Sequence, residues 1–254
     1  MSQKLFSILI LAVAMVLYAC TSPPTGTIPP SPIPLQVSYS PYLTGIQDAL
    51  QACTRELLQA AIFFEQVPGE HQSYSDPDLV IWWGDKPQEG EFAYPLNMDE
   101  LVVITNPANP NQALNQTELS ALFSGRIAHW TEISTLDQQV QVWNYPETNL
   151  MSALFSNVIL GDRPMSRQAL IAPTSQAMLE SVSSDPGAIG FIPRSWITGD
   201  VQPIQIDPDL QKTLHKPLLA LTSTEPTGEL NALVACLQSG AGQSKLAEYY
   251  EKAE

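Results

Sequence analysis

The sequence predicts an α/β protein, and two patterns carry that prediction: apolar runs of strand length, and amphipathic stretches at helical spacing between them. Leu79–Trp83, Leu101–Thr105 and Ala188–Ile192 are short apolar runs, the first two rich in β-branched or aromatic residues, bounded by turn-forming sequence. Strands that alternate with helices in this way favour largely parallel sheets.

Along the chain, Leu35–Tyr39 reads as a short strand ending in a Ser-Pro turn. Ile46, Ala49, Leu50, Cys53, Leu57, Ala61 and Phe64 recur at helical spacing, which predicts one long amphipathic helix with a single buried face. Pro107 and Pro110 close the strand at Leu101–Thr105. Asn115 followed by Glu118 has the form of a capping box, Leu119, Leu122 and Phe123 share a face, and Gly125 suits the helix stop. Val140–Trp143 reads as a strand and Leu150–Leu160 as a helix. A Pro-Gly turn introduces Ala188–Ile192, Leu218–Leu221 reads as a strand, and helices over 229–238 and 243–252 end the chain.

Composition narrows the function. The chain has 254 residues, of which 44% are hydrophobic and 15% charged, so it carries the material for a sizeable core. A net charge of −15 argues against nucleic acid, whose binding is driven by Lys and Arg displacing counterions. It also disfavours an anionic bilayer, so any membrane contact requires a specific anchor. The three histidines, His71, His129 and His215, show no metal-ligand spacing, and neither a Gly-x-Ser-x-Gly elbow nor a Walker-type loop is present. The reading is of a binding protein, with no enzyme activity, cofactor or metal.

The N-terminus supplies the anchor. Lys4 precedes the predominantly apolar stretch Leu5–Leu17, whose 13 residues suit a signal peptide better than a transmembrane helix. Leu17-Tyr18-Ala19-Cys20 resembles the lipobox of bacterial lipoproteins, which implies removal of residues 1–19, acylation of Cys20 and an extracytoplasmic, lipid-anchored domain. Residues 20–34, rich in Pro, Ser and Thr, read as an extended tether. Cys53 and Cys236 remain, and in an oxidising compartment they read either as a disulfide or as two buried thiols.

Glu118-Leu-Ser-Ala-Leu-Phe-Ser-Gly-Arg-Ile-Ala-His-Trp130 resembles a segment of the phosphate-type (PstS-like) solute-binding proteins of ABC importers. Asp185-Pro-Gly-Ala-Ile-Gly-Phe191 is similar to a strand of the same family, and Leu237–Gln243 with Tyr250 resembles its C-terminal helix pair. The resemblance implies a type II periplasmic-binding-protein-like fold: two α/β lobes, two crossover strands, and a ligand held in the cleft. Lobe one is then 35–100 plus 193–254 and lobe two 101–192, which places Cys53 and Cys236 in one lobe and favours the disulfide.

The same resemblance implies the site. Ser38 and Ser40 stand where the family places hydroxyl donors, and Asp85 in Gly84-Asp85-Lys86-Pro87 stands where it places a cleft carboxylate. Thr148 and Asn149 are candidate donors at a helix N-terminus. Successive strand side chains face opposite ways, so of Trp82 and Trp83 one enters the core and the other stacks on a ligand or fills the cleft. For the serines and for Thr148 and Asn149, turn or N-cap roles stand as alternatives, and for Asp85 a turn role. Where the family has a Ser-Gly-x-Thr loop and an Arg, this chain has Asn144-Tyr-Pro-Glu-Thr-Asn149, and Glu147 there opposes a phosphate dianion. The expected ligand is therefore an inorganic oxyanion or a small polar organic solute, and the expected partner an importer permease. The alternative is a sensor or interaction module with a degenerate cleft.

Overall fold

The computed structural model describes residues 31–57, 59–67, 76–85 and 91–253. The signal peptide, Cys20 and most of the tether, His71 and Lys86-Pro87 lie outside those residues.

The first sheet forms around β1 (Ile33–Tyr39), which begins two residues before the expected start and pairs in parallel with β2 (Ala60–Gln66) and β3 (Leu79–Trp83). Between β1 and β2, helix α1 (Ile46–Thr54) buries Ile46, Ala49, Leu50 and Cys53. The predicted helix through Phe64 is corrected here. It ends at Thr54, and Ala61 and Phe64 lie on β2, in register with β1 from Ile33↔Ala60 to Tyr39↔Gln66. A short apolar run also places apolar residues three and four apart, so spacing alone did not separate the strand from the helix.

Strand β4 (Phe92–Thr105, 14 residues) is the backbone of the molecule. From Phe92 to Glu100 it pairs antiparallel with β9 (His215–Thr222), and from Leu101 to Thr105 antiparallel with β7 (Ala188–Pro193). Helix α2 (Gln116–Phe123) follows, then β5 (Gln141–Asn144) and β6 (Leu170–Ile171). β5 runs parallel to both β7 and β6. The strand order is β2-β1-β3-β9-β4-β7-β5-β6. The result is α/β with a mixed sheet, not the largely parallel one expected, because β9 and β4 each pair antiparallel with both of their neighbours in that order. Hydrophobic pattern carries no strand direction, so the sequence did not show this.

Other elements also differ from expectation or were not expected. The helix expected over Leu150–Leu160 is α-helical only through α3 (Leu150–Phe155) and continues as a π-turn over Ser156–Leu160. Helix α4 (Ser175–Ser184) precedes β7, and β8 (Gln202–Pro203) pairs with Ile104–Thr105 before α5 (Pro208–Leu214). After α6 (Gly228–Ser239), α7 covers only Ala241–Leu246, and β10 (Glu251–Lys252) turns back to pair with Asn97–Met98.

The capping box at α2 forms as the sequence indicates: Glu118 N–H donates to Asn115 Oδ1 at 3.0 Å, and Asn115 N–H to Glu118 Oε2 at 3.0 Å. Two of the recognised segments lock together. Trp130, fully buried, donates its indole N–H to the Gly187 carbonyl at 2.9 Å. A β-carbon at position 187 would overlap the carbonyl oxygen of Gln139, so only glycine fits there. Cys53 and Cys236 are disulfide-bonded and join α1 to α6.

Candidate functional site

Parallel strands place the loops that follow them on one side. The loops after β1 and β3 therefore lie together, and so do those after β5 and β6. Contacts between these two loop sets define the candidate site. The Tyr42 hydroxyl, from the loop after β1, donates to the Pro173 carbonyl, from the loop after β6, at 2.9 Å. The Tyr42 ring meets the Tyr145 ring, from the loop after β5, edge-on at 5.1 Å and 76°. At the end of β3, a β-carbon at Gly84 would lie 3.2 Å from Leu150 Cδ2 at the start of α3. The two loop sets thus touch through an aromatic ring and an aliphatic side chain.

Local sequence explains how Tyr42 is presented. Ser40 shapes the turn: its Oγ accepts the Tyr42 N–H at 3.3 Å and its carbonyl accepts the Leu43 N–H at 3.1 Å. Trp196, just after β7, donates its indole N–H to the Tyr42 carbonyl at 2.7 Å. On the far side, Tyr145 is fully buried and its hydroxyl lies 3.1 Å from Ser175 Oγ. Burial pushes the Tyr145 phenol well above its ordinary pKa, outweighing the Ser175 hydrogen bond, so it stays neutral.

The residues singled out from sequence fall as follows. Ser38 is buried near the end of β1, paired with Val80 of β3. Ser40 forms the turn just described. Trp83 enters the core and donates to the Asp99 carbonyl at 3.4 Å, while the half-buried Trp82 takes the other face and donates to the Asp85 carbonyl at 2.9 Å. The exposed Asp85 carboxylate meets Lys216 Nζ at 2.7 Å. Asn149 caps α3, accepting the Met151 N–H at 2.7 Å, and Thr148 is exposed. Trp82 and Asp85 are brought together, and Gly84 between them meets Leu150, the residue after Asn149. Sequence reasoning missed Tyr42, Tyr145 and Trp196. Tyr42 was visible as a large aromatic in a loop where the family expectation drew attention to the hydroxyls.

Residues 40–45, 84–85, 144–149 and 172–174 contain no Lys or Arg. Lys216 is held by Asp85, and Arg194 pairs with the buried Glu100, whose second oxygen accepts from Gln211 at 3.1 Å. Beside it, where β4 changes partners, Asp99 accepts Ser195 Oγ–H at 2.7 Å and the Glu100 N–H at 2.8 Å. Burial raises the Asp99 carboxyl to about 6, although these hydrogen bonds act to lower it. Among the described residues, no group of three or more His, Cys, Asp or Glu is placed to hold a metal. None of the described helices is long and apolar enough to cross a membrane.

Residues 84–231 match the PBP superfamily domain, more than half of the chain. The chain belongs to the PBP superfamily. A curated relative, the phosphate-binding protein PstS of Bacillus subtilis (strain 168), is 27% identical over 108 residues, 42% of this chain. The match spans 36% of that relative's length, little more than a third. Among solved structures, a Clostridium perfringens protein assigned as a phosphate ABC transporter substrate-binding protein, with bound phosphate, superposes with a TM-score of 0.76. It is 18% identical, and the superposition covers 87% of this chain and 100% of that one. An ABC-type phosphate transport receptor from Vibrio cholerae gives a TM-score of 0.70 at 20% identity, covering 86% and 100%. The fold is therefore that of type II phosphate-binding-protein-like domains.

Proposed function

We propose that this PBP superfamily member is the extracytoplasmic solute-binding protein of a phosphate-type ABC importer, anchored by a lipid on Cys20, with its ligand taken between the two loop sets. The observation that carries the reading is the meeting of the loops after β1 and β3 with those after β5 and β6, bridged by Tyr42 and Pro173. In this reading lobe one is 35–100 plus 193–254 and lobe two 101–192, and the change of β4 partners between Glu100 and Leu101 supports the first of these boundaries.

The ligand is a small polar solute. Among the described residues, Lys216 is paired with Asp85 and Arg194 with Glu100, which disfavours a dianion. Closure of two lobes around such a solute is the mechanism the fold provides. A second reading, a sensor or interaction module without transport, is favoured by one observation: the protein's own Tyr42 and Leu150 fill part of the space between the loops.

A thermal-shift screen of the purified protein against phosphate, sulfate, molybdate, sugars and amino acids tests the proposal. The Cys20→Ser form serves as a second sample and should appear in the soluble fraction. A saturable rise in Tm with one organic solute, equal in both samples, is expected. Silence across the whole set would sink the importer reading and leave the sensor.

A further inference from the structure

Tyr42 does more than line the site. Its hydroxyl donates to Pro173 O at 2.9 Å, its ring packs edge-on against Tyr145 at 5.1 Å, and its carbonyl receives the Trp196 indole N–H at 2.7 Å. The side chain starts from the loop after β1 and ends on the loops after β5 and β6, and Tyr42 is only 3% exposed. Tyr42 thus crosses the candidate site, making one hydrogen bond with the loop after β6 and one ring contact with the loop after β5.

We propose that Tyr42 is a tethered occupant of the interlobe site: its phenol stands in for a solute, holds the lobes together in the unliganded protein, and restricts the site to ligands that displace it. The inference rests on the solute-binding reading above for the location of the site. Its consequences are read on Tyr42 variants without any natural solute, so the two ideas fail separately.

The physical basis is ordinary. A buried phenol that keeps its hydrogen bond contributes both packing and a satisfied polar group. Removing it leaves a ring-sized gap bounded by Tyr145 and by an acceptor carbonyl at Pro173. Gaps of this kind take up small molecules matching the deleted side chain. The occupant to supply from outside is therefore p-cresol, the side chain of tyrosine itself.

The test compares the wild-type protein with Tyr42→Ala and Tyr42→Phe. In Tyr42→Ala, solution scattering should show an expanded particle, and p-cresol should return it to the wild-type profile. By calorimetry, p-cresol should bind Tyr42→Ala at least about tenfold more tightly than wild type. Tyr42→Phe keeps the ring and loses only the bond to Pro173, so it guards against a variant that fails to fold. The loop amides of position 42 and Leu43 should exchange hydrogen roughly two- to tenfold faster, while those of Ile46–Thr54 stay as in wild type. A folded Tyr42→Ala with wild-type scattering and no p-cresol binding overturns the proposal. So does unchanged exchange around position 42 in Tyr42→Phe.

Discussion

The two halves of this molecule are held together by different means. The half built on β5, β6 and β7 is centred on a cluster of rings. Phe155 stacks on Phe191 at 3.9 Å and 4°, Phe123 meets Phe155 edge-on at 4.6 Å, and Tyr145 meets Phe191 edge-on at 5.4 Å. All four are fully buried. The half built on β1, β3 and β9 has no comparable ring cluster among its described residues, and its outer helices are joined by the Cys53–Cys236 bond across 183 residues of sequence. Gly242 sits against that bond, where a β-carbon would stand 2.5 Å from Cys53 Sγ. One half is stabilised by burying apolar area in the folded state, the other in part by limiting the unfolded chain.

That contrast breaks most visibly at Phe191. Phe191→Ala removes the ring that touches the other three and should cost about 3–5 kcal/mol in urea unfolding. A loss below about 1 kcal/mol would show that the cluster relaxes into the gap and is not the anchor of its half. Replacing both cysteines, Cys53→Ser with Cys236→Ser, should cost about 2–4 kcal/mol. If the halves unfold together, each change moves one shared transition. A biphasic curve in the serine variant alone would show that the disulfide half melts by itself.

The smallest effect lies on the seam between the halves. The Asp99 carboxyl is raised from 3.8 to about 6 by burial, so in that window the folded state binds the proton more tightly than the unfolded chain. Its contribution to stability is present at low pH and falls away as pH rises toward 6. The amount is on the order of 2–3 kcal/mol, and Asp99→Asn should abolish it. Unfolding free energies of both proteins from pH 4 to 7 give the check, and a constant difference between them would rule the effect out.

Legibility in the sequence followed the range of the interaction involved. The capping box at Asn115–Glu118, the stop at Gly125 and the apolar strand Ala188–Pro193 are settled by neighbouring residues, and the sequence showed them. The direction of β4 and the fate of Ala60–Gln66 are settled by partners far away in the chain, and local spacing misread both. At the site, the hydroxyls of Ser38, Ser40 and Thr148 attracted attention because anion sites use such groups. The residue that bridges the loops is Tyr42, whose partner Pro173 lies 131 positions away. A carbonyl acceptor contributed by a proline leaves no mark in a sequence.

The C-terminal end bears on the order in which the molecule can be completed. The Tyr250 hydroxyl donates to the Thr44 carbonyl at 2.7 Å, the Tyr249 ring lies against Gly45, and Glu251–Lys252 pair with Asn97–Met98. Thr44 and Gly45 belong to the loop that carries Tyr42. A chain that emerges N-terminus first therefore waits about 200 residues, until 249–252 are made, before the loop at 42–45 is braced. A chain without residues 249–252 would keep the strands β1–β9 yet lack the clasp on the loop that carries Tyr42.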